Sequence, residues 1–264
     1  MRKTCAIFCL IAAILISGCL TAPTYTDMTF VQEYTGIAGG AEGEPYLVTT
    51  SYSPTKMKMV NSREGETVII DLEKQERIVL KLKTKEYDVE PIREWADLQL
   101  RVPFGFGQFE TKITTTADTE IINHRKCTKI VIQMGGITRT SWVSTDVKPS
   151  NAVIRFNKKY GELFKDVPII AAEKIAWEKY EKMNAFPVKI VDNLKPPFAC
   201  TLTMELKSHN YNKIDPSAFE IPEGYTSVPK LKPPPKALKA KAEQKLGEKK
   251  KVSEETKFKF PKSE

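Results

Sequence analysis

The sequence predicts an α+β fold: a curved antiparallel sheet with two or three helices laid over one face. Two observations carry this. From Lys56 to Glu90, apolar and polar residues alternate through four short runs separated by turn formers, as in an antiparallel meander with one dry side. Between Ser150 and Met183 the apolar spacing changes to three and four, which describes amphipathic helices able to cover that side.

In the meander, Met57 and Met59 alternate with Lys56 and Lys58, then Val68, Ile70 and Leu72 with Thr67 and Asp71. Ile78, Leu80 and Leu82 follow among Arg77, Lys81 and Lys83, and Tyr87 and Val89 among Glu86, Asp88 and Glu90. Asn61 to Gly65 and Glu73 to Glu76 supply turns, so sequence neighbours pair as hairpins. This reading puts Met57, Met59, Val68, Ile70, Leu72, Ile78, Leu80 and Leu82 on one apolar face.

Upstream, Thr24 to Tyr34 and Tyr46 to Ser53 read as strands joined by a Gly-rich loop, Gly36 to Pro45. That loop lacks the Lys-Ser/Thr ending of a phosphate cradle and opens no helix, so it reads as a connection. Downstream, Pro91 opens a short helix to Leu100, broken by Phe104-Gly105-Phe106-Gly107. Strands are expected at Gln108 to Thr116, Cys127 to Met134 and Ile137 to Ser144, the last two joined by Gly135-Gly136.

Ser150 suits an N-cap for a helix carrying Val153, Phe156, Tyr160 and Leu163 on one side. A second helix starts at Pro168, with Ile169, Ala172, Ala176, Tyr180 and Met183 aligned and Trp177 beside them. Val188 to Val191 and Phe198 to Lys207 return to strand patterning, with Cys200, Leu202, Met204 and Leu206 inward. Phe219 and Ile221, before the Pro222 turn, can dock as a latch. Leu202, Met204, Trp177 and Tyr180 complete the candidate apolar cavity begun by the meander.

The net charge of +8 is not spread along the chain. Twelve lysines against five acids put +7 in the last 35 residues, and Arg2 and Lys3 add two more. The 27 basic and 28 acidic residues between them leave −1. A basic groove for nucleic acid is not what this body describes. The tail from Lys230 to Glu264, opening on KLKPPPK, buries too little apolar surface to fold alone and is expected to be disordered. Its functional version is contact with an anionic surface; its plain version is a solvated tail.

The first residues resemble a secretory signal: Arg2 and Lys3, then an apolar run from Cys5 to Ile16 too short to span a bilayer about 30 Å thick. Ile16-Ser17-Gly18-Cys19 resembles the bacterial lipobox. That resemblance implies cleavage after Gly18, lipidation of Cys19 and a membrane anchor. Leu20 in place of an aspartate implies the outer membrane, facing the periplasm. The domain reading is therefore 1–18 signal, 19–229 half-barrel domain and 230–264 tail. Of five cysteines, Cys127 and Cys200 then remain as thiols. Face parity argues against a disulfide between them and a bulge could restore it; two buried free thiols are the other reading.

No HExxH, GxSxG, CxxC or P-loop is present, and His124 and His209 are isolated. No enzyme, metal or cofactor is expected. Asp146 before the helices reads as a turn or cap residue.

Several ordered features resemble one bacterial envelope family, domain of unknown function 4412. They are Ile69 to Lys74, Ile78 to Leu80, Lys85-Glu86-Tyr87, Lys126-Cys127, Trp142 to Asp146, Phe186-Pro187-Val188 and the closing Phe219 to Tyr225. Ala185 stands where that family commonly has glycine. The family looks like a relative of the LolA/LolB lipoprotein-carrier fold, an incomplete β-barrel closed by helices around an apolar cavity. The expected function is a lipid-anchored periplasmic binder or carrier of a lipid or other apolar ligand. The alternative is a non-enzymatic envelope interaction protein working through its basic tail.

Overall fold

Alternation of side chains across a sheet is fixed by pairing register, and the register decides what this protein can enclose. The computed structural model describes residues 26–38, 41–100, 111–195 and 199–228, with backbone alone at 98–100. The expected signal segment with Gly18 and Cys19, the Phe104 to Gly107 break, and the basic tail lie outside the described residues.

The strands are β1 (Met28–Ala38), β2 (Ala41–Glu42), β3 (Tyr46–Tyr52), β4 (Lys56–Asn61), β5 (Glu66–Asp71), β6 (Glu76–Lys81) and β7 (Glu86–Pro91). After helix α1 (Ile92–Leu100) come β8 (Lys112–Ile122), β9 (Arg125–Met134) and β10 (Ile137–Ser144). Helices α2 (Asn151–Leu163) and α3 (Pro168–Lys182) lead to β11 (Phe186–Leu194), β12 (Cys200–Asn210) and the short β13 (Thr226–Ser227). All belong to one sheet, ordered β13-β7-β6-β5-β4-β3-β1-β12-β11-β10-β9-β8 with β2 beside β1. Its two ends do not pair with each other, so it is open, and it is antiparallel except where β13 joins β7.

Several strands outrun their expected bounds, β1 to Ala38 and β12 to Asn210 among them, and in β8 and β11 a register shift goes with the extension. β8 continues to Ile122 because a register shift between Thr115 and Thr119 absorbs Ala117-Asp118; the Thr116 hydroxyl accepts from the Asp118 N–H at 3.2 Å there. β11 starts at Phe186 because Pro187 sits beside a second shift, opposite Trp142 and Val143. Bulges are where a sheet tolerates proline.

The meander repeats every ten residues, six in each strand and four in each turn, and every turn ends on a left-handed residue: Gly65 at φ 65°, Gln75 and Lys85 at φ 55°. A four-residue turn pairs positions of opposite parity, Asp71 with Glu76 and Lys81 with Glu86. Met57 and Met59 therefore share a face with Ile70 and Val68, which in turn share it with Arg77 and Val79. This corrects the single-face reading of the meander. Ile78 and Leu80 lie on the opposite face, and Leu82 is a turn residue 41% exposed.

Each face has its own cover. On the outer side Ile69, Ile78 and Leu80 pack against Phe219, with Tyr87, Ile214, Ile221 and Tyr225 around them. Lys58 Nζ donates to the Ala218 carbonyl at 2.9 Å, and the Thr226 N–H to the Lys85 carbonyl at 2.8 Å, holding this latch along the sheet. On the inner side α2 and α3 bury Phe156, Ile170, Ala176 and Tyr180. The Ser150 hydroxyl caps α2 by accepting from the Val153 N–H at 3.3 Å. Arg93 on α1 grips Asp166, between α2 and α3, through two hydrogen bonds of 2.9 and 2.6 Å. Beneath α1 the inner face carries the Arg77–Glu90 ion pair, with the Arg77 guanidinium 5.8 Å from the Trp95 ring centroid.

The outer cover is tested by Phe219→Ala. Phe219 is 4% exposed, so truncation is expected to cost about 3–5 kcal/mol of unfolding free energy in urea. A loss under about 1 kcal/mol, the level of a surface change, would contradict a packed outer face.

Candidate functional site

Between α3 and the inner face of the sheet lies a cleft of about 190 Å³. Its floor follows from the pairing. Tyr34 of β1 lies opposite Met204 of β12, and Met204 opposite Ile190 of β11. On the other flank, Tyr52 of β3 lies opposite Met57 and Thr50 opposite Met59 of β4. Phe30 and Gln32 of β1 join the floor, while Trp177 and Tyr180 descend from α3. Phe30 and Trp177 both meet Phe186, at ring-centroid distances of 5.1 and 5.8 Å. The result is an aromatic and methionine lining, and methionine adapts to irregular apolar partners.

One end is polar. Arg139 of β10 is paired across the sheet with Asp192 of β11. Its Nε and Nη2 donate to Asp192 Oδ1 and Oδ2 at 2.7 and 2.8 Å, and its Nη1 donates to Glu173 of α3 at 2.7 Å. Burial alone would lower the Arg139 pKa, but Glu173 and Asp192 outweigh it and hold the guanidinium well above its ordinary range. Nearby, the Tyr180 and Ser141 hydroxyls share a 2.7 Å hydrogen bond. Burial pushes Tyr34 and Tyr180 up to about 12, and Tyr52 and Tyr160 in the same direction. Gln32 and Thr50 are 7% and 5% exposed, and neither side chain has a hydrogen-bond partner among the described residues.

The twelve residues nominated from sequence divide four ways. Met57, Met59, Trp177, Tyr180 and Met204 line the cleft. Val68, Ile70 and Leu72 belong to the filled core under the helices. Ile78, Leu80 and Leu82 are away from the inner face, for the reason of turn parity given above. Leu202 is half-buried opposite Asp192, outside the cleft lining.

Sequence reading missed Phe30, Gln32, Tyr34, Tyr52, Arg139 and Glu173. In β1 apolar and polar residues mix on the inward positions, so no dry face shows. Arg139 sits between Thr138 and Thr140 and looks like a solvent-facing position; only its pairing with Asp192 reveals the buried ion pair.

The cleft lining contains no histidine or cysteine. Among the described residues no group of three or more His, Cys, Asp or Glu is placed to hold a metal ion. No helix among them is long and apolar enough to cross a membrane. His124 stands in a turn at φ 62°, and His209 lies on β12 against the Tyr211 ring, its pKa lowered chiefly by burial. Ser144 Oγ accepts from the Asp146 N–H at 3.2 Å, a turn contact. Cys127 is buried and Cys200 half-buried, both as free thiols.

Fold and site together define an open-sheet protein with a helix-roofed, largely apolar cleft. The chain belongs to the family described as Domain of unknown function (DUF4412), whose model matches residues 46–225. No curated protein matches it in sequence. It is similar in structure to an uncharacterised conserved protein from Thermus thermophilus, at 9% identity and TM-score 0.45, over 83% of this chain and 99% of that one. It is also similar to a domain named for outer membrane lipoprotein sorting from Vibrio parahaemolyticus, at 6% identity and TM-score 0.36, over 80% and 94%. A LolA superfamily protein from Nitrosomonas europaea is similar at 6% identity and TM-score 0.35, over 75% and 91%.

The buried tyrosines set an alkaline limit. A tyrosine raised from 10.0 to about 12 favours the folded state fully below pH 10, and loses that contribution as pH rises through about 12. For Tyr180 the two-unit shift corresponds to about 2–3 kcal/mol. Stability is expected to decline across this window, less steeply in Tyr180→Phe because Tyr34, Tyr52 and Tyr160 remain. At neutral pH the same variant should lose about 1 kcal/mol with the Ser141 hydrogen bond. Urea titrations at neutral and alkaline pH check both; an unchanged alkaline slope would contradict the assignment.

Proposed function

We propose that this protein is lipid-anchored in a bacterial envelope through Cys19 and holds an aliphatic chain in the cleft under α3. The observation that carries the reading is a void of about 190 Å³ faced by Phe30, Met57, Met59, Trp177 and Met204 instead of being filled by them. The cleft is about half open to solvent, so these side chains present apolar surface that nothing among the described residues covers.

Magnitude narrows the ligand. The space exceeds the ~150 Å³ of an apolar cavity that takes benzene. It falls short of the ~300–1,000 Å³ typical of sites for whole drug-sized molecules. One stretch of acyl chain fits this range; a complete multi-chain lipid does not. Anchoring supports the reading because a chain-binding protein tethered at a membrane surface stays beside its ligand. Each buried methylene of an attached acyl group contributes about 0.8 kcal/mol to that tether.

Trp177 provides the test, because it lines the cleft while Trp95 and Trp142 do not. A monoacylglycerol with a brominated acyl chain is expected to quench tryptophan fluorescence saturably in the full chain and to lose most of that quenching in Trp177→Phe. Equal quenching in the two proteins, or none in either, would contradict binding at this site. The anchor is read separately: Cys19→Ala should abolish incorporation of labelled fatty acid and release the protein from membranes, and unchanged labelling would exclude Cys19.

A further inference from the structure

We infer that the cleft discriminates between head groups, accepting chains that end in an uncharged hydrogen-bonding group of the amide or ester carbonyl class and rejecting chains that end in a carboxylate. This rests on the chain-binding reading above and adds the chemistry of the polar groups lining the same cleft.

The first support is charge. Arg139 is the cation in the cleft lining, and all three of its nitrogens are spent on carboxylates, Nε and Nη2 on Asp192 and Nη1 on Glu173. Two acids against one guanidinium leave one negative charge uncompensated. Arg139 and Asp192 are nearly buried, with side chains 11% and 9% exposed, and Glu173 is 34% exposed, so water screens that charge only in part. An entering carboxylate meets a like charge and gives up its own hydration, and both effects oppose binding.

The second support is independent of charge. Gln32, 7% exposed, faces the cleft with its amide unpartnered among the described residues, and Thr50, 5% exposed, does the same with its hydroxyl. A glutamine amide offers two donors and one acceptor, and a hydroxyl offers one donor. Such groups are costly to seal under a purely hydrocarbon ligand, because their hydration is lost with nothing in return. A ligand carbonyl accepts from either side chain, and a ligand N–H or O–H donates to the Gln32 carbonyl. Neither polar end is sealed from water in the cleft, so a ligand that covers them must replace that hydration, and analogues unable to do so are disfavoured.

The test is competition against the brominated monoacylglycerol, read at Trp177 in the full chain, with decanamide and decanoate at a pH where decanoate is ionised. Decanamide should displace the probe at least about tenfold more effectively than decanoate. Glu173→Gln, which removes the surplus charge, should narrow that gap by strengthening decanoate. Gln32→Leu should narrow it from the other side by weakening decanamide. Decanoate equal to decanamide in the unaltered protein overturns the head preference and leaves chain binding standing. A probe that fails to quench Trp177 at all removes chain binding, and the preference with it.

Discussion

The four-residue turn of the meander is the constraint on which the rest of the structure depends. It pairs Asp71 with Glu76, an odd position with an even one, so each successive strand changes the parity of the residues it sends inward. Met57 and Met59 thereby reach the cleft with Val68 and Ile70 as neighbours, while Ile78 and Leu80 are turned to the other side. Both faces of β5 and β6 become apolar at their centres, and both must be covered. The C-terminal segment around Phe219 covers one face and the helices cover the other. A one-residue slip would exchange the two sets and leave each cover facing the wrong surface.

The two covers differ in how completely they fill their space. Phe219 closes its patch with side chains in contact, which is what a structural latch requires. On the inner side α2 packs into a filled core and α3 packs Ala172, Ala176 and Tyr180 against β9 and β10, but next to that contact its Glu173 reaches Arg139 at the cleft. Charges buried in this way contribute little net stability, because desolvation offsets their attraction. Their placement beside an apolar space makes better sense as control over what enters than as glue.

Much of the fold was legible because periodicity reports burial. The Ser150 cap, the helix starting at Pro168, the Gly135-Gly136 hairpin and the meander strands all stand where the pattern put them, within a residue or two. The candidate site was less legible. Arg77-Ile78-Val79-Leu80 is apolar on both of its faces, so alternation could not say which face was inner; the turn length could have, since four residues reverse parity. Val68, Ile70 and Leu72 were apolar and inward but packed solid, and no sequence signal separates a filled core from a cavity. Gln32, Arg139 and Glu173 are polar, and a search for an apolar ligand site passes over them. Tertiary pairing, not local pattern, makes them part of the cleft.

The central claim is that the space beneath α3 belongs to a ligand and not to the protein's own side chains. The direct measurement is a crystal structure of the protein extracted gently from its own membrane. The account predicts continuous density for one extended chain between Trp177 and the row Phe30, Met57 and Met204, with its head within hydrogen-bond distance of Gln32. A well-ordered structure in which those side chains close the space on themselves, with no density between them, would contradict it.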